Sequence, residues 1–200
     1  MPKEIHETGC NIVIAGVGGQ QIMLTGGVIG VAAMNAGYDV KVSELHGMAE
    51  RGGSVVAYVR YGNEVESPCI EYGQADIILA FEELEALRFA EHLKETGLMI
   101  VNTNRINPLS VMIGAAQYPE NVMDRIKQTA AHVVAADALQ IAKDCGEIKT
   151  LHIVLIGMMA QYVNIDKECW HMALKKLSDE DALDVNMEAF ERGYRLKMEG

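Results

Sequence analysis

Asn11 to Val17 reads NIVIAGV, a continuous apolar run into glycine, as expected of a strand buried on both faces. The turn GGQQ follows, and Gln20 to Asn35 reads as a helix. Its apolar residues go nearly all the way round, which predicts a buried helix. Gly26, Gly27 and Gly30 lie along it. Each costs roughly 1 kcal/mol against alanine, an expense most simply offset by close contact with a sheet or a neighbouring subunit. Gly37 is placed to end the helix as a C-cap.

YDVKVSE (Tyr38–Glu44) and SVVAYVRYG (Ser54–Gly62) alternate apolar and polar residues and read as strands. No helix long enough for a crossover fits between them, so they are expected to form a long hairpin or a broad excursion at the sheet end. DIILAFE (Asp76–Glu82) is a third buried run. It leads into an amphipathic helix expected to reach about Glu95, with Leu84, Leu87, Ala90 and Leu93 on one face. GLMIVNT and AHVVAAD read as further strands, and Asp137 as the cap of a helix ALQIAKDCG. From Lys149 the pattern is helical to the end. The expectation is an α/β protein, a three-layer α/β/α Rossmann-like domain with a mostly parallel sheet. Residues 1–148 would form the core of this single domain and residues 149–200 a C-terminal helical tail.

Composition narrows the function. Half of the 200 residues are hydrophobic and the formal net charge is -11. A basic surface for nucleic acid or anionic membrane is therefore not expected. The longest apolar run, Ile22 to Met34, is too short for a membrane span. Cys10, Cys69, Cys145 and Cys169 are scattered, without a C-x-x-C pair. That argues against a zinc or iron–sulfur site in this chain and for a reducing compartment. With the polar start MPKEIHETG, which is not a signal peptide, a cytoplasmic protein is expected.

Two loops carry the candidate chemistry. Gly16, Gly18, Gly19 and Gln20 lie where a buried strand turns into a helix, the setting of a dinucleotide loop. There glycines let the backbone approach a phosphate and helix N–H groups point at it. The third glycine of G-x-G-x-x-G is replaced by Gln21. A phosphate or carboxylate site, an NAD site with Glu44 on the ribose, and a tight turn that binds nothing all fit. The second loop, SELHGMAERGGS, holds Glu44, His46, Arg51, Gly52, Gly53 and Ser54. Arg51 offers a planar fork for a carboxylate or phosphate. A solvated charge network with His46 packing the loop is the alternative.

In combination the loops are specific. NIVIAGVGGQ followed by ELHGMAERGGSVVAYVRYG resembles the gamma-type subunit or domain of the 2-oxoacid:ferredoxin oxidoreductases, and within that family the indolepyruvate type. The resemblance continues through ADIILAFEELEALR, IVNTN, AADALQIAKDCG and NMEAFERGY. The chain departs from the family's pattern at Gln21, usually glycine, and at His152, often asparagine. The resemblance implies the small subunit of a hetero-oligomer that decarboxylates a 2-oxoacid to an acyl-CoA and passes electrons to ferredoxin. Thiamine diphosphate, Mg and iron–sulfur clusters would belong to a large alpha subunit, with coenzyme A as co-substrate. This chain would hold no catalytic residue. Its two loops, from Gly16 to Gln20 and from Glu44 to Ser54, would help shape the CoA or substrate channel. A gamma subunit for pyruvate, 2-oxoglutarate or 2-oxoisovalerate, a free-standing dinucleotide-dependent enzyme and a ligand-free scaffold are the other readings.

Overall fold

The computed structural model describes residues 9–46 and 53–196. Of the expected site residues, Arg51 and Gly52 lie outside this range, as does the side chain of His46.

Six strands form one sheet in the order β2-β3-β1-β4-β5-β6. They are β1 (Gly9–Val17), β2 (Asp39–His46), β3 (Ser54–Gly62), β4 (Ala75–Ala80), β5 (Leu93–Asn102) and β6 (His132–Ala136). β1, β4, β5 and β6 pair in parallel. β3 runs against both β1 and β2, so β2 and β3 form the expected long hairpin. β1 and β2 therefore point the same way, and their carboxyl ends lie at the same edge.

Strand alternation sorts the core into two layers. Ile12, Ile14, Ile77, Leu79 and Ile100 pack on one face, and Val13, Ile78, Met99 and Val101 on the other. The second face is covered by α2 (Glu83–Phe89) and α4 (Val122–Thr129). The first carries α1 (Ile22–Asn35), α5 (Ala138–Asp144), α6 (Leu151–Ala160), α7 (Lys167–Leu177) and α8 (Leu183–Arg195). α6 is apolar all round because the sheet, α5 and α8 enclose it, and every residue from His152 to Ala160 is buried. The C-terminal helices thus share the core with α1. Gly26 and Gly30 bring α1 against the sheet: a Cβ at either would lie 3.3–3.4 Å from a Val42 methyl.

Helix ends differ from the sequence reading where side chains find distant partners. α1 begins at Ile22 rather than Gln20, because Gln21 takes the left-handed conformation, with φ of 61°. At its other end Gly37, also left-handed, donates to Met34 while Tyr38 donates to Ala33, the paired bonds of a glycine C-cap. The helix expected to reach Glu95 stops at Phe89, and one 3-10 turn (Ala90–His92) leads into β5, where Leu93 already pairs with Ala75. Leu93 therefore belongs to a strand and not to the helix's apolar face. α4 and the short α3 (Leu109–Met112) were not legible from the pattern.

Candidate functional site

The carboxyl edge of the parallel strands gathers the two loops. The Gly18 N–H donates to the Gly53 carbonyl at 2.9 Å, and Val17 pairs with Ser54. The glycine turn and the far end of the hairpin loop are therefore neighbours. On the hairpin, Glu44 is half-buried and shares a face with Val42, placed toward the first turn of α1.

The glycine turn is largely occupied by its own side chains. The Gln20 Oε1 accepts from the Val17 N–H at 2.7 Å, and its Nε2 donates to the Phe81 carbonyl at 3.3 Å. Gly16 is enclosed, since a Cβ there would meet Ile22 and Gln20 side-chain atoms at 2.7 and 2.8 Å. The structure thus gives Gly16 and Gln20 packing and bonding tasks inside the turn. Gly19 differs: it has φ of 99° and open space around it.

Sequence reasoning missed the polar knot beside this turn. The Phe81 carbonyl also accepts from Asn102 Nδ2 at 3.0 Å, and the Asn102 Oδ1 accepts from the Ala138 N–H at 3.0 Å. Two carboxamides thus stitch β1, β4, β5 and α5 together across the edge. Glu82, Glu83 and Glu85 follow β4 and are all buried. Glu82 caps α2 by accepting from the Glu85 N–H at 3.0 Å. It also accepts from the Ile106 N–H at 3.2 Å and from the Tyr118 hydroxyl. Glu83 pairs with Arg105 at 2.7 Å. Glu85 accepts from the Ser54 hydroxyl and pairs with Arg88 at 3.2 Å. Burial pushes the Glu85 carboxyl up, and Ser54 and Arg88 oppose that rise. Ser54, expected to face a ligand, thus anchors the hairpin loop to α2. Three acids within FEELE, straight after a buried strand, were the available signal.

A cleft of about 350 Å³ opens beside the turn, between Gly19–Gln21, Asn104, Leu139 and the segment Ile148–His152. Two helices present their N-termini to it. α1, from Gln21, lacks a capping side chain and an acid in the first turn, whereas α6 continues a 3-10 turn (Ile148–Thr150) that Glu147 caps by accepting from the Lys149 N–H at 3.0 Å. Lys149 lines the same cleft. Such an arrangement attracts an anion, because unpaired N–H groups and the helix dipole both favour negative charge.

His152 lines this cleft and is 5% exposed. Its Nδ1 donates to the Lys149 carbonyl at 2.7 Å, which leaves Nε2 as an acceptor. Burial lowers its pKa to about 4, outweighing the bond to Lys149. The folded state therefore holds a neutral ring that the unfolded chain protonates below pH 6.5. The stability this provides is complete above pH 6.5 and is lost as the pH falls toward 4. About 2 kcal/mol should be gone by pH 5. Urea unfolding at pH 7 and pH 5 should show this loss, and His152→Asn should remove it.

The family model for pyruvate ferredoxin/flavodoxin oxidoreductase matches residues 11–196. An indolepyruvate oxidoreductase subunit IorB from Pyrococcus horikoshii is 40% identical over 94% of this chain and 96% of its own. One from Archaeoglobus fulgidus is 38% identical over 95% and 96%. Among solved structures, the gamma subunit of a keto/oxoacid ferredoxin oxidoreductase from Geobacter sulfurreducens shares the fold with a TM-score of 0.70 at 24% identity. That match covers 92% of this chain and 96% of the other. A 2-oxoglutarate:ferredoxin oxidoreductase from Magnetococcus marinus, solved with coenzyme A bound, has a TM-score of 0.69 at 22% identity. It covers 94% of this chain but 31% of that longer chain. With a family model matching nearly its whole length and relatives this similar end to end, the chain belongs to the pyruvate ferredoxin/flavodoxin oxidoreductase family.

Proposed function

We propose that this chain is the small subunit of an indolepyruvate:ferredoxin oxidoreductase and that its carboxyl sheet edge faces coenzyme A in the assembled enzyme. The substrate reading rests on the relatives' names at 38–40% identity. The placement of coenzyme A rests on one observation: the uncapped N-terminus of α1 and Lys149 meet at the cleft beside the glycine turn. A phosphate of the co-substrate suits that charge. Arg51, outside the described residues, is proposed to add a charge-assisted bond from the hairpin loop.

The redox groups belong to a large partner subunit in this reading. Among the described residues no three His, Cys, Asp or Glu side chains gather as a metal site requires. The described side chains thus offer no cysteine set for an iron–sulfur cluster, which supports placing the redox groups in the partner. When bound in the partner, those groups supply the decarboxylation and carry the electrons toward ferredoxin. This chain's part is to hold and orient the co-substrate. No described helix is long and apolar enough to cross a membrane, and the four cysteines are free thiols. The free thiols support the proposal of a reducing, cytoplasmic compartment.

The test is coenzyme A affinity of the complex reconstituted from this chain and the large subunit. Lys149→Ala and Arg51→Ala should each weaken binding by about 1.5–3 kcal/mol, the worth of a hydrogen bond to a charged group. Arg125→Ala, exposed on α4, is the control and should change nothing. Arg60 would not serve, because its guanidinium binds Asn11 and the Ser67 and Cys69 carbonyls. Wild-type affinity in both Lys149→Ala and Arg51→Ala would remove coenzyme A from this edge.

A further inference from the structure

The opposite flank of α1 lies over a sheet edge that nothing among the described residues covers. Among the described residues β2 pairs with β3 on one side and with no strand on the other. Exposed edges are usually guarded by short length, bulges or outward lysines. β2 runs eight residues in unbroken register, and its one lysine, Lys41, is tied to Asp39 at 2.9 Å. Above it, Gly26 and Gly30 let α1 settle directly on Val40 and Val42. The flank of α1 beside the edge is apolar and open. Met23 is 64% and Met34 53% exposed, Val42 beneath them 45%, and Gly27 has open space where a side chain would be. None of the fourteen residues of α1 is charged, in a chain of net charge -11.

A two-fold axis perpendicular to the sheet matches these features to one another. Antiparallel pairing of β2 with its copy keeps the same face up in both sheets, so α1 meets its mate above the seam. α1 rests between β2 and β3, since Gly26 faces both Val42 and Val59. With strands about 4.8 Å apart, α1 then lies about 5 Å from the seam. The two helix axes come about 10 Å apart, a distance at which helices pack. Gly27 leaves room at the crossing, and the uncharged face lets two strongly acidic chains approach without local repulsion. β2 is about 27 Å long, and strand plus helix are about 15 Å deep. The footprint is on the order of 400 Å² per copy, about half that of a standard interface. The contact is therefore concentration-dependent when it acts alone.

We propose that the outer edge of β2 and the overhanging flank of α1 form a two-fold interface between two copies of this chain, joining the sheets into one.

The experiment uses the full chain and is independent of any ligand. Sedimentation over a concentration series should show the 21.9 kDa species giving way to one of twice the mass. Val42→Cys, in a background with the exposed Cys69 changed to serine, should form a disulfide-linked dimer on mild oxidation. Met112→Cys, 71% exposed on α3 away from this edge, should not. Met34→Glu and Met23→Glu should each weaken the dimer about tenfold or more, as charges at a buried contact do. Any of three results overturns the proposal: a monomer at every concentration, equal cross-linking at both cysteines, or a dimer that neither glutamate weakens.

Discussion

Gly193→Ala should destabilise the protein by about 3 kcal/mol, at or beyond the upper end of ordinary overpacking. α6 and α8 cross with backbone against backbone. A Cβ at Gly193 would lie 2.1 Å from the Val154 carbonyl oxygen and 3.1 Å from the Met158 nitrogen. From the other helix, a Cβ at Gly157 would lie 2.3 Å from the Phe190 carbonyl oxygen. No rotamer relieves such a contact, because the obstacle is main chain. The helices must separate by about 1 Å, which loosens the buried contacts of Phe190 and Trp170. Alanine's better helix propensity returns about 1 kcal/mol at most, too little to offset this. Thermal unfolding should fall by about 10 °C for a chain of this length. Gly27→Ala is the comparison for the single chain: nothing in that chain lies within 4 Å of its Cβ, so in dilute monomer propensity alone acts and stability should rise slightly. An unchanged melting point in Gly193→Ala would show that α8 can be moved off α6 without cost.

Glu82→Ala should cost about 3–5 kcal/mol, for a different reason. The carboxylate is 1% exposed and accepts from the Glu85 N–H, the Ile106 N–H and the Tyr118 hydroxyl. Alanine leaves these three donors without their acceptor, at about 1–3 kcal/mol for each that stays buried. One of these three, the Glu85 N–H, makes the bond by which Glu82 caps α2, worth about 1 kcal/mol in itself. Glu82→Gln keeps the shape and one oxygen but turns an N–H₂ toward a donor, so about half the loss is expected. Because Ile106 and Tyr118 bracket the segment that carries α3, amide exchange between them should quicken in both variants. A loss below about 1 kcal/mol in Glu82→Ala, with exchange unchanged, would show that the segment is held by other contacts.

Much of the fold follows from local pattern. The buried runs around Ile12, Ile77 and Ile100 are strands because period and branching leave little choice. The hairpin of β2 and β3 follows from the missing crossover helix. Asp137 caps α5 through the Gln140 N–H, as its place before the helix suggests. That α1 must lie against something flat was legible in Gly26 and Gly30. Family membership was legible too, because two loops of unusual composition stand at a fixed distance along the chain.

What only tertiary structure decided are the partners at long separation. Gln20 and Phe81 are 61 residues apart and Asn102 and Ala138 are 36 apart, and no periodicity records which of them meet. Glu83 and Glu85 look solvated along the sequence, yet Arg105, Ser54 and Arg88 satisfy them as they are buried. Leu93 leaves its apparent helix because Ala75 of β4 offers it a ladder position. Gly157 and Gly193 gain their role only where the two helices cross, each leaving room for the other's main chain. A sequence determines period, turns and caps because these act within a few residues. Which faces meet is decided by the packing of the whole chain, where each buried donor must find its acceptor.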